Sequence, residues 1–126
     1  MPVSRSKLLF LLTAVIVFAA AWLWFFPPRW WLNTIKPVDL TDPVGAGTSI
    51  VEAYNCRQCH LIGGEGKALG PNLKGVTERL DAVSLRQWLR DPTSIKWDTP
   101  MPDFHLSDPE IEATVSYLTH LDGNRD

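Results

Sequence analysis

The chain has 126 residues, 45% of them hydrophobic and 21% charged, with two cysteines and a net charge of −2. That length holds one small domain and one apolar anchor but no second domain. The charge is unevenly spread: residues 1–36 contain Arg5, Lys7, Arg29 and Lys36 and no acid, which leaves eight basic and fourteen acidic side chains beyond them, a balance of about −6. So acidic a domain argues against nucleic-acid binding, because phosphate contacts need a basic footprint.

Residues 8–26 form an unbroken uncharged run. As a helix it would reach about 28 Å, close to the thickness of a bilayer core. Arg5 and Lys7 stand on its N-terminal side, and Trp22, Trp24, Trp30 and Trp31 gather at its far end as an interfacial aromatic belt. This predicts a single-pass helix in the cytoplasmic membrane, with the N-terminus and Met1 inside and everything after Pro27 on the outer, periplasmic face. A cleaved signal peptide is the competing reading, with an h-region at 8–18 and small residues at Ala19, Ala20 and Ala21. The apolar run continues past them through Trp22 to Phe26, which favours an uncleaved signal-anchor over residues 1–26. No twin arginine and no spare cysteine for a lipid are present. Residues 27–41 read as a linker lying at the membrane interface, with 33–41 as its free part, spanning at most roughly 30 Å.

The remaining domain, 42–126, opens on Asp42 and Pro43, an N-cap and first-turn pair that predicts a short helix running to Tyr54. Cys56, Arg57, Gln58, Cys59 and His60 then spell C-x-x-C-H. Two thiols three residues apart can each form a thioether to a haem vinyl group while the adjacent imidazole ligates the iron, so the motif predicts one covalently attached haem c. A disulfide, a redox dithiol and a zinc site are the alternatives. Zinc would need about four ligands, and only His105 and His120 remain to supply them. Gly63, Gly64, Gly66 and Gly70 mark a loop, and no strand pattern is visible. Residues 84–90 suit a two-turn helix with Leu85, Trp88 and Leu89 on one side and Pro92 beyond it. The last helix is signalled most fully, with a Ser107/Glu110 capping box, Pro109 in its first turn, Ile111, Val115, Leu118 and Leu121 at helical spacing, and Gly123 as its end. Short helices joined by long loops make a poor core at this size, and a haem would supply the missing centre.

These features in this order resemble the class I monohaem cytochromes c: C-x-x-C-H near the domain's start, Gly-Pro-Asn-Leu at 70–73, and Met101-Pro102 ahead of a final helix. The resemblance implies an all-α fold of three to four short helices around one haem. It also implies that the Pro71 carbonyl accepts the His60 Nδ1 proton and that Met101 sulfur is the second iron ligand beside His60. A thioether on a Pro-Met-Pro turn is soft and neutral, which favours ferrous iron. His105 and His120 are the rivals for that position. The aromatic usual ahead of the first cysteine is represented by Val51 or Tyr54. Trp88 and Trp97, with Tyr117, are candidates for the haem pocket or a propionate, against plain core packing.

The resulting expectation is one-electron transfer, with no small-molecule substrate at the iron. The short linker favours a fixed haem subunit of a respiratory or photosynthetic membrane complex over a tethered shuttle. In layout the chain resembles the monohaem subunits of quinol-oxidising complexes, alternative complex III among them, or of oxidases. Its partners would then be the bilayer and the donor and acceptor cytochromes or redox subunits. A haem enzyme or gas sensor with a labile distal ligand is the reading from another class. The acids Asp98, Asp103, Asp108, Glu110 and Glu112 suggest a face for a basic partner.

Overall fold

The computed structural model describes residues 4–124, so Met1 and the last two residues of the 42–126 domain lie outside the described residues. Helix α1 (Arg5–Phe25) has no buried residue and is long and apolar enough to cross a membrane. It begins a little before the expected 8–26 run and ends one residue short of it. Pro27 and Pro28 prevent its continuation, and Pro28 in extended backbone starts a second helix, α2 (Arg29–Ile35).

The expected free linker is corrected here. Helix α2 buries Leu32, and Asn33 and Lys36, within the part expected to be free, are hydrogen-bonded to the domain that follows. Arg29 forms an ion pair with Asp108 and donates from Nη1 to the Leu106 carbonyl at 2.7 Å. Asn33 and Asp108 bond reciprocally, Asn33 Nδ2 to Asp108 Oδ2 at 2.7 Å and Asp108 N to Asn33 Oδ1 at 2.8 Å. Beyond the helix, Lys36 Nζ reaches Tyr54 Oη and the His105 carbonyl, and Ser107 Oγ donates to the Lys36 carbonyl. Most of these partners lie about seventy to eighty residues apart in sequence, which is why local reading could not anticipate them.

Seven α-helices are found among the described residues, in keeping with the all-α expectation. In the domain, α3 (Pro43–Ala53), α5 (Ala82–Arg90) and α7 (Asp108–Gly123) are the substantial ones; α4 (Val76–Arg79) and α6 (Pro92–Ile95) are single turns. The caps are those the residues call for. Asp42 accepts from Gly45 N, Asp81 from Ser84 N and Asp91 from Ser94 N. With Asp81 as its cap, α5 starts at Ala82, two residues ahead of the expected Ser84. Pro92 both ends α5 and opens α6, as a proline does at a first helical position. The Ser107/Glu110 box is formed at α7, whose last helical residue is Gly123, with Asn124 as the cap.

The absence of strands is also corrected. Leu61–Ile62 (β1) and Glu65–Gly66 (β2) pair antiparallel across Gly63 and Gly64. Both glycines have positive φ, +63° and +85°, the backbone a primed two-residue hairpin turn requires. Helices α3 and α7 cross at Gly47, which lies against the Ala113 carbonyl; a Cβ there would stand 2.6 Å from that of Tyr117. Around this crossing Ile50, Val51, Ile62, Val76, Leu85, Leu106, Ile111 and Leu118 form one core.

Docking of α2 makes a pH prediction. The Asn33 hydrogen bond, and then Arg29 and Arg90, hold the Asp108 carboxyl below the ordinary carboxylate range. A group depressed in the folded state stabilises above its unfolded pKa, and that stabilisation disappears as pH falls through the folded value. We expect the thermal midpoint of the full-length protein to fall steeply below about pH 4. Asp108→Asn should lower the midpoint at pH 7 and flatten part of that acid limb, as followed by far-UV circular dichroism from pH 7 to pH 3.

Candidate haem site

The C-x-x-C-H string begins at a left-handed residue, Asn55 (φ +54°), a conformation asparagine tolerates better than most side chains. A 3-10 turn (Cys56–Gln58) follows, and the Cys56 carbonyl accepts from both Cys59 N and His60 N, at 3.2 and 3.0 Å. This coils the motif so that both thiols and the imidazole belong to one tight turn. The chain then folds back over the motif's carbonyls: Lys67 N donates to Arg57 O, Gly70 N to Cys59 O and Leu73 N to Leu61 O. Gly66, at φ +116°, passes so close to the His60 carbonyl that a side chain there would collide.

Cys56 is half-buried against the core and Cys59 is exposed, and no disulfide joins them. Burial pushes the Cys56 thiol above its ordinary pKa, with smaller opposing contributions from a backbone hydrogen bond and the Arg57 charge. His60 Nδ1 lies 2.8 Å from the Pro71 carbonyl, as the resemblance implied. A carbonyl can only accept, so Nδ1 carries the proton and Nε2 is the nitrogen with a lone pair to give. Gly70 lies against the ring, where a Cβ would stand 2.8 Å from His60 Cε1 and 3.0 Å from Nδ1. Among the described residues no group of three or more His, Cys, Asp or Glu side chains gathers as a metal site. Two thiols in one turn with an imidazole oriented through Nδ1, and glycine backbone against its ring, fit a haem held by two thioethers and one nitrogen.

The other expected residues are placed as follows. Met101 is half-buried, on irregular backbone between α6 and α7, its amide donating to Thr99 Oγ1 at 3.3 Å. Trp88 is half-buried on α5. Trp97, after α6, is 87% exposed, which rules out polypeptide core packing for it. Tyr117 is core, and its hydroxyl accepts from Arg57 Nη2 at 2.9 Å. His105 is exposed, left-handed (φ +49°) and 3.2 Å from the Asp103 carboxylate, and His120 is exposed near the end of α7. Of the two residues offered ahead of Cys56, Val51 is buried in the core and Tyr54 reaches α7, donating to Glu110 Oε1 at 2.8 Å. Burial first, and then Glu110, keeps the Tyr54 phenol protonated far above its ordinary range.

Three of the five acids offered as a docking face are engaged within the protein. Asp108 is bound by Arg29 and Arg90, Glu112 by Arg86 at 2.5 and 2.8 Å, and Glu110 is buried in its cap. Spacing alone did not disclose the bases that neutralise these acids. Sequence reading also missed Gly70 as the residue that admits the imidazole, although it stands in the Gly-Pro-Asn-Leu string, and Asp122, whose buried carboxylate accepts from Gly75 N, Thr77 N and Thr77 Oγ1. No local periodicity could have signalled that long-range capping of α4.

The Cytochrome c family model matches residues 44–122, well over half the chain, and the chain belongs to that family, with covalently attached haem c. Among individual relatives it is similar to the C subunit of nitric oxide reductase from Halomonas halodenitrificans, 32% identical over 105 residues, which span 74% of this chain and 70% of that one. The corresponding protein of Paracoccus denitrificans is 34% identical over 95 residues, 66% of this chain and 63% of that one. Cytochrome c oxidase subunit 2 of Alkalihalophilus pseudofirmus is 33% identical over 84 residues, which span 60% of this chain and 25% of that one.

Gly70→Ala tests the site. Its methyl group would force His60 off the Pro71 carbonyl, and we expect less haem incorporated and a shifted reduction potential in what is loaded. Pyridine haemochrome content and a redox titration measure both.

Proposed function

We propose that this chain is a membrane-anchored one-electron carrier, fixed as the haem subunit of a membrane reductase complex. Bound haem c supplies an iron that cycles between ferric and ferrous states. Cys56 and Cys59 would hold it through their sulfurs, His60 would offer Nε2 with Nδ1 engaged by Pro71, and Met101 sulfur would be the second ligand. Trp88 and Trp97 are the aromatic residues assigned to the cofactor. Two protein ligands that stay in place leave no room for a substrate at the metal, which suits transfer over catalysis.

The observation that carries the fixed-subunit reading is the docking of α2. With 29–36 bound to the domain, the joint left between the membrane helix and the haem domain is the short Phe26, Pro27, Pro28 stretch, too short and too restricted by its prolines for a shuttle. Arg5 and Lys7 favour a cytoplasmic N-terminus, with the haem domain on the periplasmic face. The residues 1–26, 27–41 and 42–126 are accordingly anchor, docked juxtamembrane segment and haem domain.

The relatives favour a terminal reductase of the nitric oxide reductase kind as the complex. The match to the Halomonas protein takes in more of this chain than residues 42–126 could supply alone, so likeness extends into the juxtamembrane part. A quinol-oxidising complex such as alternative complex III is the second reading, supported by the anchored layout. Purification in mild detergent should yield the chain with catalytic redox subunits, whose activity separates the two; an isolated monomer would refute the fixed-subunit reading and favour the shuttle.

The ligand assignment has its own expected outcome. Met101→Ala should lower the reduction potential by well over 100 mV, on the order of the span that axial ligands command. It should also abolish the red absorption band of ferric iron bound to a thioether. Retention of both in a redox titration would exclude Met101.

A further inference from the structure

The stretch from Pro100 to Leu106 carries Met101 and has neither helix nor strand. Its internal hydrogen bonds are short-range, Met101 N to Thr99 Oγ1 and His105 N to Asp103 Oδ1. Among the described residues, the hydrogen bonds that reach it from distant parts of the chain come from two cations of the juxtamembrane segment. Lys36 Nζ donates to the His105 carbonyl at 2.9 Å, and Arg29 Nη1 donates to the Leu106 carbonyl at 2.7 Å. Two successive peptide groups of the Met101-bearing stretch are thus held by side chains from beside the membrane.

The first of those carbonyls belongs to His105, whose φ of +49° is an uncommon backbone state for a side chain of that size. Apolar contacts also hold this stretch, since Leu106 is buried and Phe104 meets the Tyr54 ring edge-on with centroids 5.6 Å apart. Such contacts set depth but leave peptide planes free to turn. Charged donors aimed at carbonyls set direction as well. Lys36 does both at once, because it also donates to Tyr54 Oη at 3.0 Å, the ring on which Phe104 packs.

Resting on the assignment of Met101 as distal ligand, we infer that Arg29 and Lys36 are positioning residues for Met101, so that the membrane-proximal segment straps down the backbone that presents the sulfur. The strap lowers the population in which Met101 has swung away, and an exogenous ligand can bind only that population. The coupling is reciprocal: holding α2 steadies Met101, and an engaged Met101 steadies α2.

The test uses the full-length holoprotein in detergent, with Lys36→Met and Arg29→Gln made singly and together. Asn33→Ala is the control, because Asn33 bonds Asp108 and neither loop carbonyl and so reports general loosening of α2. The double variant should show a weaker thioether–iron absorption band, a lower reduction potential and carbon monoxide uptake by the ferrous form faster by about tenfold. Asn33→Ala, which leaves both carbonyl contacts in place, should change these readouts less than the double variant does. An unchanged band and uptake rate in the double variant, or an equal change in Asn33→Ala, overturns the inference. Met101→Ala measured alongside separates the two levels: if it keeps the band, the ligand assignment falls and the strap with it; if it loses the band while the double variant keeps it, the strap alone falls. Should the double variant fail to load haem, the single variants carry the same comparison.

Discussion

The first turn of α7 is a cluster of carboxylates at the positive end of a sixteen-residue helix, and most long-range order in this protein converges there. Glu110 satisfies the Ser107 amide through its capping box and accepts from Tyr54, so a nearly buried charge is fully hydrogen-bonded. Asp108, in the same turn, accepts from Asn33 and pairs with Arg29 and Arg90. Removing either acid would leave cations or donors from other elements without partners. The helix terminus therefore does more than stop fraying: it fixes α2, the end of α3 and α5 relative to one another.

That arrangement explains which parts of the fold could be read from sequence. Caps, first-turn prolines and the apolar spacing of α7 are local signals, and the helices they mark are present. The hairpin at Gly63 and Gly64 was hidden because a two-residue strand has no periodicity, although adjacent glycines between paired segments are a turn signal in their own right. Docking of α2 was hidden for another reason. Its aromatic residues Trp30 and Trp31 point to a membrane interface, yet its polar residues Arg29 and Asn33 answer to Asp108, nearly eighty positions away. The same pairing places Asp108, legible in sequence as part of a docking face, inside an internal network.

The site follows the same division. C-x-x-C-H announces its chemistry because thioether formation and ligation need those atoms at that spacing. The orientation of His60 needs more: a carbonyl from Pro71, and a position at Gly70 where no Cβ intrudes. The Gly-Pro-Asn-Leu string contains both: the Pro71 contact was implied by the resemblance, while the close approach of Gly70 to the ring was not legible. Trp97 is the converse case. Its indole is too exposed to be part of the polypeptide core, so its large apolar surface is open to contact from outside the polypeptide.

These constraints bear on how electrons could reach and leave the domain. A tethered carrier gains from its linker only if the linker lets it sample separated partners, and that gain vanishes when the linker is bound. Here the membrane helix passes through two prolines into α2, α2 is clamped to α7, and the same clamp touches the stretch bearing Met101. Few soft torsions remain between bilayer and domain. A joint with so few soft torsions is of little use to a carrier that must sample separated partners by diffusion. Asn33, Lys36 and the Arg29 Nη atoms exchange water for carboxylate and carbonyl partners, while the buried Arg29 Nε has no hydrogen-bond partner and opposes docking. Leu32 and the neutralised acids then tip the balance toward docking, and the juxtamembrane helix becomes a structural part of the electron carrier.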